Sequence, residues 1–479
     1  MSKYGEHYIH SLKDARSVWL NGRVTDVTTD PYFAGTLSTI SSLFDMMDSA
    51  ENQDKVSVVQ HVRGQGQRIH PSFIVPHSQD DLLKRRIAFE TWSRATSGVM
   101  SRLSDYARSR ITGWYANRSA YDAYDKQFAD KIKTYYETAG VENRFLTVVQ
   151  RDPQINRSAG GEVDTEELGL LRITRKTSEG VYVSGGKMIA TAAPYSHDLI
   201  VFPVAKWNKK EKALASALIV PANSKGLHMI CRAGFDSGNV ARADYPLSSA
   251  FDEMDAVLIF DDVLIPWERV LLYENPDAVW QFKNDPVANA LAYHQAIVRL
   301  QVKLEFTTAI GHAIAESIGA NQYLHVQEKL GELLMQSETI RGLVMASESA
   351  GKCNDHGIFL PHFSFIETAR NLGSTYYPRA IELLQLIGAG GFIQTPSVIA
   401  DFDGPIGHLL EKYYRGKDVD AVERTKLFKL AWDLIGSSLG SRHELYERFY
   451  AGDPIRNKAA QYAGYDKAAL RKMIDPYLC

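Results

Sequence analysis

Arg102 and Tyr106 stand four residues apart in a stretch rich in helix formers. On a helix both side chains project from one face and can meet one small ligand. The guanidinium carries a permanent charge; the alternative is an ordinary ion pair or stack on a helix surface. Gln385, Gly388, Gly390 and Gly391 form Gln-x-x-Gly-x-Gly-Gly. Such glycines permit close backbone approach and offer amide donors, whereas a helix C-cap needs only one of them. Gly440-Ser441-Arg442-His443 precedes a helix expected to begin near Glu444, so its amides can face an anion. His294 lies on a predicted helix; imidazole suits a base near neutral pH, although a lone helix histidine is more often structural.

The elements that must position these residues follow from periodicity. Gln79 to Thr138 carries apolar residues at mostly helical spacing, with Asp80 and Asp81 marking a helix start;. After Val148 short β-branched runs take over, at Leu168–Thr174, Gly180–Ser184, Leu199–Ala205, Leu214–Val220 and Ala256–Phe260. Their turn signals predict a mostly antiparallel β domain of roughly 120 residues. Long helical periods return from Val287 to Ser317, Val326 to Gly351, Phe363 to Ile387 and Ala421 to Ser438;. The expected class is α+β, with an N-terminal mainly helical domain (1–145), a middle β domain (146–270) and a C-terminal helical bundle (271–479).

Composition narrows the functions. At 479 residues the chain exceeds a single core;. A net charge of -3, with both signs interspersed, argues against a nucleic-acid partner;. Cys231, Cys353 and Cys479 have no metal-site spacing and fit a reducing cytoplasm;. No apolar run of membrane-spanning length occurs, and the first residues lack a signal-peptide core;.

Eight segments in order resemble the 4-hydroxyphenylacetate 3-hydroxylase family, which has the acyl-CoA dehydrogenase-like fold. They are Gly5-Glu-His-Tyr8 with Asp14-Ala-Arg16, Arg102-Leu-Ser-Asp-Tyr106, Asp152-Pro-Gln-Ile-Asn-Arg157 and Gly185-Gly-Lys-Met-Ile-Ala-Thr191. Phe260 to Arg269, His294-Gln295, Gln385 to Phe392 and Gly440 to Phe449 complete the set. The resemblance implies an oxygenase component that binds FADH2, supplied by a separate, transiently bound NAD(P)H-dependent flavin reductase. With O2 as co-substrate, a C4a-hydroperoxyflavin would hydroxylate a phenol ortho to its hydroxyl. It also implies a homotetramer whose bundle supplies flavin contacts across subunits. By the same resemblance Arg102 and Tyr106 contact the phenolic oxygen. Gln154, Arg157 and Thr191 meet the flavin, as do the Gln385–Gly391 turn and Gly440, Ser441, Arg442 and His443.

One position departs from the family pattern. Members acting on 4-hydroxyphenylacetate place a histidine before Pro-Gln-x-x-Arg, and by alignment it is Val148 here. Valine can neither donate nor accept a proton. Either the phenol differs, being halogenated, nitrated or a tyrosine-derived biosynthetic unit, or His294 takes over as base. Three rival readings stand beside this one. Leu445-Tyr446-Glu447 faintly echoes the base segment of acyl-CoA dehydrogenases; the 4-hydroxybutyryl-CoA dehydratase branch would need cluster-binding cysteines; a helical scaffold would have lost its flavin.

Overall fold

The computed structural model describes residues 3–62, 64–155, 167–236, 238 and 241–478. It opens with helix α1 (Lys3–Ser11), strands β1 (Ser17–Leu20) and β2 (Arg23–Thr25), and helices α2 (Pro31–Asp45) and α3 (Gln53–Val56). The hairpin β3 (Val58–Val62) and β4 (Gln65–Ile69) leads into α4 (Gln79–Ala95), α5 (Ser104–Ala116) and α6 (Phe128–Val141). Helix α4 starts where the aspartate pair suggested, and its cap is Ser78, whose side chain accepts from the Asp81 amide;.

The β layer comprises β5 (Leu146–Val149), β6 (Arg172–Lys176), β7 (Gly180–Thr191), β8 (Asp198–Val201), β9 (Ser216–Pro221), β10 (Leu227–Cys231), β11 (Asp255–Pro266) and β12 (Val270–Tyr273). These strands build a six-stranded sheet, β2-β1-β10-β11-β7-β6, and a four-stranded sheet, β12-β9-β8-β5. Two features differ from the sequence expectation. Residues 17–25 leave the helical region to join the large sheet, and β1–β10 and β5–β8 pair in parallel. Strands of three or four residues carry too little periodicity to be seen as pairing partners across some 200 positions. The β7–β11 register matters most for the site, because it sets Thr191 opposite Asp255.

The C-terminal part holds α7 (Pro276–Lys283), α8 (Pro286–Ser317), α9 (Leu324–Ser349), α10 (Phe363–Gly388), α11 (Gly407–Tyr414), α12 (Ala421–Ile435), α13 (Ser438–Phe449), α14 (Pro454–Gly464) and α15 (Ala468–Ile474). Helix α8 is buried on nearly every side, so it forms the axis of the bundle. One core lies between the large sheet and α1–α2, a second between the small sheet and α5–α7, and a third among α8, α9, α10, α12 and α13. Each fully buried large side chain, such as Phe33 or Phe282, contributes about 1.5–3 kcal/mol of hydrophobic stabilisation. Among the described residues no helix is long and apolar enough to cross a membrane.

Candidate active site

Arg102 lies in the turn before α5, whose N-cap is Leu103, so it does not share a helix face with Tyr106 as its spacing suggested. The two side chains meet nonetheless. The guanidinium sits 4.4 Å from the Tyr106 ring centroid and 4.3 Å from that of Tyr450, distances at which a ring face attracts a cation. Its Nε donates to the Tyr446 hydroxyl at 3.0 Å, and its backbone N–H donates to Glu253 Oε1 at 2.5 Å. Among the described residues no carboxylate forms an ion pair with this guanidinium, which leaves its charge for a ligand. Burial raises the Tyr106 phenol, but Arg102, then Arg110 and Arg370, outweigh burial and leave it below the ordinary tyrosine range;. Tyr106 packs on Ala292 and Ala296 of α8, with Val148, Tyr293 and Tyr450 completing an apolar wall.

His294 does not join this group. Ala292 and Ala296 turn toward Tyr106, and a residue two positions from each lies about 200° round the helix. His294 accordingly faces α4 and α9: its Nε2 bonds Glu348 Oε1 at 2.8 Å and its ring meets Phe89 edge-on. The structure therefore does not bring His294, one of the two explanations offered for Val148, to the Tyr106 group. The next residue, Gln295, reaches α5 and donates to Asp105 Oδ1 at 3.0 Å. Burial raises that carboxyl to about 6.

The end of β7 lies close to the Arg102 cluster. Thr191 Oγ1 donates to Asp255 Oδ1 at 2.6 Å and is 3.3 Å from the Tyr446 hydroxyl. Tyr446 therefore touches both Arg102 and Thr191. Arg442, one turn earlier on α13, grips Asp255 with two bonds at 2.7 and 2.9 Å and donates to Glu253 at 2.9 Å. Burial opposes the Asp255 charge, yet Arg442 and then Arg232 hold the carboxyl well below its usual range.

The segment Asp152–Gln154 is anchored along β7. Lys187 Nζ meets Asp152 Oδ1 at 2.5 Å, and the Met188 amide donates to the Arg151 carbonyl at 2.8 Å. Gln154 is exposed there, and the large apolar side chains of Ile155 and Ile189 are also uncovered. Arg157 lies outside the described residues. An isoalloxazine ring has one heteroatom edge and one hydrocarbon edge. Hydroxyls at Thr191 and Tyr446, a carboxamide at Gln154 and bare isoleucines beside β7 suit both edges.

The two glycine-bearing segments differ from expectation. Helix α13 begins at Ser438, not near Glu444. The Gly440 amide donates to the Ser437 side chain and the Ser441 amide to the Ser437 carbonyl, so these donors are consumed by the helix. Arg442 acts through its side chain, Ser441 is exposed, and His443 turns into the bundle, 3.3 Å from Lys303 Nζ. Burial and then Lys303 push the His443 imidazole well below its usual value, keeping it neutral. In the other segment the Ala389 amide caps α10 on the Gln385 carbonyl. A Cβ at Gly388 would strike the Phe392 ring at 2.3 Å, and one at Gly391 the Phe428 ring at 2.5 Å. Packing accounts for those two glycines. Gln385 and Gly390 are exposed.

Sequence reasoning missed Tyr446, Tyr450, Glu253 and Asp255. Tyr446 was read only as part of an acyl-CoA dehydrogenase echo. The Glu447 of that echo is buried, bonded to Arg299 and Lys303. Burial works against its charge, but Arg299 and Lys303 hold it at about 2. A carboxylate so paired is no base.

Residues 4–272 match the model of the 4-hydroxyphenylacetate 3-hydroxylase N-terminal part, and residues 284–478 match that of its C-terminal part. The 4-hydroxyphenylacetate 3-monooxygenase oxygenase component of Thermus thermophilus is 33% identical, covering 100% of this chain and 98% of its own. A Streptomyces globisporus monooxygenase of a (3S)-3-amino-3-(3-chloro-4-hydroxyphenyl)propanoyl group on a peptidyl-carrier protein is 35% identical, over 94% of this chain and 85% of its own. A crystal structure of the oxygenase component of 4-hydroxyphenylacetate 3-monooxygenase with FAD and 4-hydroxyphenylacetate superposes with a TM-score of 0.94 at 32% identity, covering 100% and 98% of the two chains. The fold is acyl-CoA dehydrogenase-like. Matched along nearly its whole length by both halves of one family, the chain belongs to the 4-hydroxyphenylacetate 3-hydroxylases.

Proposed function

We propose that this chain is the oxygenase component of a two-component, FADH2-dependent monooxygenase that hydroxylates a phenol ortho to its hydroxyl group. The observation that carries the reading is Arg102: a guanidinium without a carboxylate partner among the described residues, held beside Tyr106 and one tyrosine away from Thr191. Arg102 binds the phenolic oxygen and favours its ionised form, which enriches the ring in electrons for attack by an electrophilic oxygen. Tyr106, held below its ordinary pKa, exchanges the phenol proton at its hydroxyl oxygen. Thr191, Tyr446 and Gln154 hold the flavin ring, with Arg157 joining them as the family motif implies. Bound reduced FAD supplies the activated oxygen. The wall formed by Val148, Ala292 and Ala296 excludes water from the ring.

The substrate is a phenol of the 4-hydroxyphenylacetate kind. Val148 supports a second reading, a halogenated, nitrated or tyrosine-derived phenol, because it removes a hydrogen-bonding group from the phenol end. FADH2 comes from a separate reductase that docks transiently. Leu386, within the Gln385–Gly391 segment, and Ile393, just after it, are exposed, as are Leu445 and Phe449 on α13. Apolar surface of this kind supports assembly with further copies of the chain, as a homotetramer in which that turn approaches a neighbour's flavin. The free thiols fit a cytoplasmic enzyme.

The test is a phenol panel assayed with FAD, a flavin reductase and NADH, following oxygen use against product. Arg102→Ala is expected to bind FADH2 as the wild type does and to lose phenol hydroxylation by about 10- to 100-fold, the range for a charged hydrogen bond. Unchanged hydroxylation would remove Arg102 from the site.

A further inference from the structure

The last turn of helix α13 and its C-cap, Tyr450, present three side chains to two different surroundings. Tyr446 and Tyr450, four apart, share the face turned toward Arg102. Tyr446 accepts from its Nε at 3.0 Å, and the Tyr450 ring lies 4.3 Å from its guanidinium. Glu447 turns instead into the bundle, where it meets Arg299 and, at 3.0 Å, Lys303, both on α8. The Arg299 guanidinium also lies 4.7 Å from the Tyr450 centroid, so one ring is bracketed by two cations.

Arg102 needs such a constraint. It sits outside α5, in a turn, on a side chain with several rotatable bonds. Its guanidinium donates to the Tyr446 hydroxyl, 344 positions away, and meets Tyr106 through ring contact and charge. Without α13 the group would keep one stacking partner, Tyr106, and be free to swing away from the phenol.

We propose that Tyr446 and Tyr450 are positioning residues. Helix α13, pinned to α8 by Glu447, aims the Arg102 guanidinium at the phenolic oxygen. The proposal rests on the reading of the chain as a phenol monooxygenase. It adds that affinity for the phenol is set by a helix from the far end of the chain. Tyr446 also reaches Thr191, so Tyr450 is the cleaner position to vary.

The experiment compares wild type, Tyr450→Leu and Tyr450→Phe, with 4-hydroxyphenylacetate as the probe. Leucine keeps bulk but loses the ring face. It is expected to raise the KM for the probe about tenfold, as for a desolvated cation–π contact, with FADH2 affinity and thermal midpoint near those of wild type. Phenylalanine keeps the ring and is expected to hold KM within about threefold of wild type. An unchanged KM in Tyr450→Leu overturns the proposal. So does a loss of thermal stability and FADH2 affinity equal to the loss in KM, or a Phe variant as impaired as Leu. A wild type that binds no FADH2 counts against the proposed function alone. Positioning is then read from equilibrium binding of the same probe, followed by protein fluorescence, where equal dissociation constants in all three proteins overturn it.

Discussion

Replacing Glu447 by glutamine tests the buried charge cluster beneath the site. Glu447, Arg299 and Lys303 are all nearly inaccessible to solvent, so removal of the anion leaves two cations in a low-dielectric interior. They respond differently. Burial, together with Arg299, has already brought Lys303 down to about 8 despite the pull of Glu447; without Glu447 it sheds its proton near neutral pH. Arg299 cannot. The cost therefore falls on Arg299, and breaking one partner out of a buried pair costs about 3–5 kcal/mol. Titration leads to the same order. A carboxyl lowered from 4.5 to about 2 on folding carries about 3 kcal/mol of pH-dependent stability. Because the folded value is the lower one, this contribution is complete above pH 4.5 and is lost as the pH falls toward 2. Urea unfolding of wild type and Glu447→Gln at neutral pH reads the loss. The acid limb of stability against pH should be shallower in the variant. Glu447→Gln combined with Arg299→Met should recover most of the stability, since apolar replacement of a buried pair is often neutral. A Glu447→Gln protein within about 1 kcal/mol of wild type would refute the reasoning.

Three further outcomes are expected. Val148→His places an imidazole at the phenol end and should raise kcat/KM on 4-hydroxyphenylacetate about tenfold, the worth of one hydrogen bond; no gain over a wild type already fully active on that compound would remove the doubt about the substrate. Asp105, raised from 3.8 to about 6 by burial, penalises folding increasingly as the pH climbs from 4 to 6 and fully above that. Asp105→Asn should accordingly gain up to about 3 kcal/mol above pH 6 and little below 4, and equal shifts at both ends of the range would contradict this. In the native protein a thiol reagent should label exposed Cys353 well before Cys231, whose thiol burial pushes up to about 12;. Peptide mapping after brief labelling distinguishes the two.

What the sequence determined by itself was whatever repeats within one element. The spans of α8, α9 and α10 agree with the sequence reading to within a few residues, because helix formers and helical spacing mark an element's extent before anything packs on it. The family resemblance assigned Arg102 and Tyr106 to the phenol and Thr191 to the flavin; contacts connect the three through Tyr446 and the Arg102–Tyr106 stack. Tertiary structure alone decided direction. Nothing local says that His294 faces Glu348 while Ala292 and Ala296 face Tyr106, since α8 is buried on nearly every side. Nor does spacing show that Gly388 and Gly391 make room for Phe392 and Phe428, that residues 17–20 pair with β10, or that a tyrosine at 446 completes an arginine at 102. A side chain's partner is chosen by the packing of elements far apart in the chain, and that choice is made only when the cores close together.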